Sequence, residues 1–244
     1  MTPTPAPSGT IQPGDATSRP DARARLIAAG IDAFGSAGFE AASIRAIASA
    51  ADVNIAGVSY HFGGKEGLYR ACAEDIVVRI NERLAPRLAR IGETAASDPQ
   101  EAADAVILML KGIIRTLLGE APMDRIARFV VREQMDPTPV FEILYEGIMR
   151  PLHTRFCALW ALATGTGVET RETQLRLFAI VGQVIVFRIG RATVLGRTGW
   201  TGVGEREVAE IEAVVIANTR HVLAAEAAAN GRMLQLAEPL PNED

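Results

Sequence analysis

The chain has 244 residues, enough for one large or two modest domains. It is 48% hydrophobic but only 5% aromatic, rich in Ala, Leu and Arg, and no stretch keeps the period-two alternation of a half-buried strand, so an all-α protein is expected. A net charge of −4 argues against a long electrostatic footprint on nucleic acid, and three histidines without ligand spacing (His61, His153, His221) offer no metal centre.

Residues 1–20 are mostly Pro, Thr, Ser and Gly without an apolar core. They read as a disordered arm, not a secretion signal, and the protein is expected in the cytoplasm. The first informative stretch is 43–69. Ile44, Ile47, Ala48 and Ala51 recur at intervals of three and four, which makes one apolar helix face, and Ser43 is placed to cap it. Asp52 tolerates the unusual backbone angles of a tight turn. Val53 tucks beneath that turn, and Asn54 caps a second helix from about Ile55 to His61. Val58 and Phe62 face inward; Ile55, Ala56, Gly57, Ser59 and Tyr60 face outward. Gly63-Gly64 ends the helix and Lys65 opens the next. Two short helices at a tight turn are the arrangement that pushes a helix into the major groove of DNA.

The outer face suits that task. Ala56 and Gly57 allow close approach to base edges, Ile55 and Ala56 can pack on a thymine methyl, and Ser59 can hydrogen-bond. Tyr60, His61 and Lys65 can donate to phosphate oxygens. Residues 19–70 carry six basic side chains (Arg19, Arg23, Arg25, Arg45, Lys65, Arg70) against five acids (Asp21, Asp32, Glu40, Asp52, Glu66). Affinity must therefore rest on a few placed cations, on helix N-termini and on doubling by dimerisation.

The helix from Lys65 runs to about Arg90, with a kink expected at Pro86, and links the two domains. Ser97-Asp98-Pro99 opens a helix through Leu117, broken by Gly119-Pro122. Further helices are expected over 123–135, over 140–163 with a kink near Pro151, and over 171–195 and 205–229. The domains read as 21–68 (helix-turn-helix), 69–230 (effector binding and dimerisation) and 231–244 (flexible tail). Cys72 and Cys157 read as buried small hydrophobes. The helix 171–195 is apolar nearly all round from Leu177 to Ile189 and must be covered on both sides. Phe178, Val181 and Ile185, with Val208, Ile211, Val215 and Val222 on the last helix, are the candidate four-helix homodimer interface. The alternative is a central core helix in a monomer. Phe129, Arg132, Tyr145, His153, Phe156, Trp160, Gln183 and Phe187 are candidate lining residues of a pocket, aromatic with a few polar groups. Each has a plain core reading as well.

Residues 22–69 resemble the DNA-binding domain of the TetR/AcrR family of bacterial transcriptional regulators. The resemblance rests on the helix Arg25–Phe34, the Gly38-Phe39 link, Ser43-Ile44-Arg45-Ala46-Ile47-Ala48, Tyr60-His61-Phe62 and Gly63-Gly64-Lys65-Glu66-Gly67-Leu68-Tyr69. It implies groove-reading positions at Ile55, Ala56, Gly57 and Ser59, and phosphate contacts at Ser43, Arg45, Tyr60, His61 and Lys65. Asp52 departs from the family's usual turn glycine, and Gly57 and Ser59 from larger side chains. Val131–Pro139, Phe141–Tyr145 and Met149–His153 are similar to the C-terminal domain of a CerR-type branch of the family. That branch implies an effector-binding, dimerising domain.

The function expected is therefore a ligand-responsive DNA-binding regulator. It would repress as a homodimer on double-stranded DNA and be released by a small molecule, an apolar or amphipathic toxicant being the expected class. Two reading helices would lie about 34–36 Å apart. No cofactor is expected. The runner-up is a helical enzyme or binding protein with a helix-turn-helix-like N-terminal domain. Against it, the sequence offers no nucleophile turn, metal cluster or phosphate loop. An activator, or a regulator without a ligand, is the third reading.

Overall fold

Two hydrophobic cores organise the chain, and one of them crosses the boundary expected at residues 68/69. The computed structural model describes residues 21–90, 98–119 and 123–235. The expected arm (1–20) and most of the expected tail (236–244) lie outside them. Among the described residues every regular element is helical.

The first core gathers α1 (Ala22–Ala41), α2 (Ile44–Ala50), α3 (Ala56–Phe62) and the first five turns of α4 (Lys65–Arg90). Met123, Ile126, Phe129 and Val130 of α6 (Met123–Met135) and Leu144 of α7 (Phe141–Leu144) complete it. The second core joins α5 (Pro99–Leu118), α8 (Arg150–Thr164), α9 (Arg171–Ile189) and α11 (Glu205–Ala229) around Leu110, Ile114, Phe156, Trp160 and Leu177. The N-terminal reader is thus built partly from residues far along the chain, because α6 packs on α1.

Local signals set the helix limits. Ser43 Oγ accepts the Ala46 N–H, and Asp98 accepts the Gln100 N–H at 2.8 Å with Pro99 just inside the helix. Thr170 caps α9. The Glu207 carboxylate accepts the Gly204 N–H at the start of α11, and that bond holds its pKa below the ordinary value. Gly38, at φ 82°, breaks the helical angles near the end of α1.

Two kinks were expected from proline. α4 continues through position 86 to Arg90. The kink near Pro151 takes a specific form. Pro151 has no N–H for the carbonyl of Gly147, four residues earlier, and its ring crowds that carbonyl. The backbone widens there into a π turn, Tyr145–Met149. Asn81 Nδ2 of α4 donates to the Gly147 carbonyl at 3.1 Å, and Val77 packs so closely that a Cβ on Gly147 would lie 2.7 Å from it. Pro151 thereby creates a hydrogen-bonding vacancy that α4 fills.

The single helix expected over 171–195 is two. α9 ends at Ile189 and α10 (Arg191–Thr198) leaves at a 77° bend. The break falls at Gly190, which has the lowest cost for leaving helical angles. No single described helix is long and apolar enough to cross a membrane; α9 and α10 reach that hydropathy only as this bent pair.

Candidate functional site

The α2–turn–α3 unit is fixed from several sides. Asp52 adopts φ 52°, the left-handed turn expected of it. Arg25 of α1 donates through Nε to the Ala51 carbonyl at 2.9 Å and through Nη2 to that of Asp52 at 3.3 Å, so a cation completes the C-terminal end of α2. Asn54 Oδ1 accepts the Ala56 N–H at 2.9 Å, starting α3 at Ala56. Gly63, at φ 74°, ends it. A Cβ on Gly67 would sit 1.8 Å from the Phe62 carbonyl oxygen, so only glycine lets α4 begin against the end of α3.

Seven expected DNA-facing residues are exposed: Ser43, Arg45, Asn54, Ile55, Ala56, Ser59 and Tyr60. Tyr60 is 85% exposed and Ile55 48%, unusual for such side chains in a folded domain. His61 is half-buried, edge-on to Tyr60. Two residues differ from the expectation. Gly57 is half-buried, and its missing side chain points at Val53, 2.7 Å from a built Cβ. Its smallness therefore serves packing of the turn rather than the outer face. The Lys65 ammonium is also engaged: it donates to the Glu40 carbonyl at 2.9 Å and lies 4.9 Å from the Phe39 ring centroid.

Behind the reader, α6 is bolted to α1 and α4. Glu133 is 1% exposed. It accepts hydrogen bonds from the Tyr69 hydroxyl, the Thr138 N–H (3.2 Å) and the Thr138 hydroxyl (3.0 Å). Burial first, and then the Glu133 carboxylate, push the Tyr69 phenol far above its ordinary pKa. Arg132 donates to the carbonyls of Gly35 and Ser36, and Arg128 pairs with Asp32. Two open clefts lie farther out. One, of about 630 Å³, runs between α4 and α8 and is lined by Asn81, Leu84, Ile148, Pro151, Leu152 and Arg155 among others. The other, of about 530 Å³, lies where α5, α6, α9 and α10 meet, and its wall carries Arg125, Arg128, Arg188 and Arg191.

Comparison with known proteins agrees with this arrangement. Residues 26–72 match the family model described as bacterial regulatory proteins, tetR family. Residues 102–226 match that of the C-terminal domain of the HTH-type transcriptional dual regulator CecR. CecR of Shigella flexneri is 34% identical over 197 residues, covering 80% of this chain and 87% of that protein. The chain belongs to the TetR family of transcriptional regulators. The branch resemblance read from 131–153 as CerR-type is to CecR. A probable HTH-type regulator of Bacillus subtilis, YttP, is 33% identical over 52% of this chain and 57% of its own length. In fold, the chain is similar to a TetR-like regulator from Rhodococcus sp. RHA1, with a TM-score of 0.57 at 19% identity, covering 83% and 96% of the two chains.

Within this TetR-family fold the eight expected pocket residues are divided between the two cores and the surface of the helices around them. Phe129 sits in the first core, tilted against Tyr69; Phe156 and Trp160 are buried in the second. The Trp160 indole N–H is taken by Glu226 at 2.7 Å, and Arg132 is spent on α1. Gln183 bonds Asn218, Phe187 packs on the second core, His153 stacks on Phe178, and Tyr145 opens the π turn. None of the eight lines either cleft. Of the expected dimer residues, Ile211 and Val215 are buried in the protomer's own core at 2% and 1% exposure and have no surface to offer. Val181, Ile185, Val208 and Val222 are half-buried, and Phe178 is exposed. The exposed apolar stripe of α9 is instead Leu175, Phe178, Ala179, Gly182, Val186 and Ile189, one helical face, with Val214 of α11 also exposed.

Nothing in the sequence singles out Asn81, Tyr69 and Thr138. For Asn81 there is only an indirect signal: Pro151 marks the orphaned carbonyl at Gly147, although the donor's identity is tertiary. The arginine cleft had none, since its residues are spread over two distant segments.

Proposed function

We propose that this TetR-family DNA-binding regulator is a repressor that leaves its operator when a small molecule binds. The observation that carries the reading is continuity. The helix α3, which presents Ala56, Ser59 and Tyr60 to solvent, packs on α4, and the same α4 forms one wall of the α4–α8 cleft. Ile55 and Ser59 read bases; Arg45, Tyr60 and Ser43 meet phosphates. The stripe from Leu175 to Ile189 pairs with its copy, and the homodimer sets two α3 helices on successive major grooves. The protein acts in the cytoplasm, where its operator is.

An apolar or amphipathic effector suits the cleft, whose Leu84, Ile148, Leu152 and Ala158 supply apolar wall and whose Arg150, Arg155, Thr154 and Asn81 supply polar groups. An occupant there presses between Asn81 and the π turn and shifts α4. By linkage, operator DNA weakens effector binding by the same factor. The name of the S. flexneri relative, a dual regulator, supports a second reading in which the chain also activates some promoters.

The test is a mobility shift on duplex DNA from upstream of the protein's own gene, repeated with a panel of amphipathic compounds. Repression and release predict a specific complex that one or more compounds dissolve. A complex that every compound leaves intact removes the effector half of the reading; Leu152→Trp, which fills the cleft, should mimic the effector and weaken the complex.

A further inference from the structure

We propose that the arginine cleft at the junction of α5, α6, α9 and α10 binds a small carboxylate- or phosphate-bearing anion, and that its occupation loosens α6 from α1. The proposal goes beyond the amphipathic-effector reading and rests on repressor function only for its operator readout.

In a chain of net charge −4, four guanidinium groups line one cleft of about 530 Å³. Their carboxylate partners are too few. Asp124 takes Arg188, whose Nη1 meets Oδ1 and whose Nη2 meets the Asp124 backbone carbonyl, both at 2.6 Å. Arg128 is shared between Asp124 Oδ2 at 3.3 Å and Asp32 Oδ1 at 3.2 Å. Arg125 and Arg191 are exposed and have no hydrogen-bond or ion-pair partner among the described residues. Among the described residues, Asp124 and Asp32 pair with Arg188 and Arg128, and Arg125 and Arg191 stand on the concave wall without a carboxylate partner.

That arrangement differs from a scattered basic surface. The Arg188 side chain is only 12% exposed and is held in place before any ligand arrives. Leu118 and Val203 add apolar wall to the same cleft. Planar guanidinium forks match the two oxygens of a carboxylate or phosphate group, and a ligand with charge −2 or more balances the surplus. Arg125 and Arg191 would supply the new hydrogen bonds, and Arg188 would form the fixed floor.

Arg128 makes the site more than a counter-ion trap. Its partner Asp32 lies on α1, the first helix of the reader. An anion that draws Arg128 into the cleft takes it from Asp32 and removes one of the bolts between α6 and α1. Of the polar links from α6 to α1, those of Arg132 to Gly35 and Ser36 then remain, beside the apolar packing of Ile126, Phe129 and Val130. Anion and operator accordingly oppose each other.

The experiment is titration calorimetry of the full chain with inorganic phosphate and, separately, citrate, at constant ionic strength balanced with NaCl. One saturable site per chain is expected for at least one probe, and which probe binds distinguishes phosphate from carboxylate chemistry. Arg125→Ala/Arg191→Ala should weaken it by about tenfold or more while leaving the melting temperature unchanged, since charge-assisted bonds are lost from exposed side chains. Arg45→Ala, on the reader face, should leave it intact. No saturable heat with either probe, or equal binding by the double variant, overturns the site. The second arm is operator affinity with and without the bound anion. The anion should lower it several-fold in the natural protein, while Asp32→Asn should bind the anion at least as well yet show no such response. An operator complex indifferent to bound anion overturns the coupling. Anion binding without any operator complex instead sinks the repressor reading and leaves the site standing.

Discussion

Tyr60 and Lys65 look alike in sequence, both being phosphate donors beside the reading helix, and the structure separates them. Tyr60 is 85% exposed and lies edge-on to His61, so Tyr60→Ala should weaken operator binding about tenfold and leave the melting temperature unchanged. Lys65 pins α4 to the end of α1 through the Glu40 carbonyl and Phe39, so Lys65→Ala should lower both affinity and melting temperature. Fluorescence anisotropy on labelled duplex and thermal melts of the same samples check the pair. Gly57 and Ser59 separate likewise. Ser59→Ala should change sequence preference, whereas Gly57→Val should lower stability, because Val53 already occupies the space. At the buried end, Tyr69→Phe removes a donor from the Glu133 carboxylate and should cost about 1–3 kcal/mol, read from urea unfolding. What was legible at this scale followed from local chemistry: the Ser43 and Asn54 caps and the positive φ of Asp52 depend on neighbours within three residues. Tyr69, Glu133 and Thr138 were not legible as a cluster, because the first is 64 positions from the second and nothing local marks their meeting.

At the scale of elements, periodicity located the helices but not their partners. The stripe on α9 was read as apolar all round; in the fold Leu177, Ile180 and Val184 turn inward, and Leu175, Phe178, Val186 and Ile189 turn out. The same pattern on α11 misassigned Ile211 and Val215 to the interface, since an apolar position carries no label for own core or partner. Two substitutions distinguish the roles. Phe178→Asp should give a folded monomer by analytical ultracentrifugation, with helical circular dichroism retained and operator affinity reduced. Val215→Asp should lose the fold itself, because it buries an unpaired carboxylate at a site 1% exposed. The π turn gives a third case. Asn81→Ala leaves the Gly147 carbonyl without the donor that Pro151 cannot supply. The variant should be less stable, and its operator affinity should respond less to an occupant of the α4–α8 cleft.

Across the whole molecule, the reader is joined to the rest of the chain twice. α4 carries one connection, past the π turn and the α4–α8 cleft; α6 carries the other, through Asp32, Gly35 and Ser36 of α1. Sequence reading found the first because it is continuous in the chain. The second joins residues some 97 positions apart and depends on how the two cores share α6. A reader held at two points can be moved from either, so the proposed apolar occupant and the proposed anion should each change operator affinity when the other is absent.

Operator recognition by the exposed residues of α2 and α3 is the property on which the proposed repressor function depends. A mobility shift on duplex DNA from upstream of the protein's own gene, in excess nonspecific DNA, tests it most directly, with Tyr60→Ala run beside the natural protein. A discrete complex is expected for the natural protein, weakened in the variant at unchanged folding. A folded dimer with no preference for any sequence, there or in a selection from random duplexes, would contradict it.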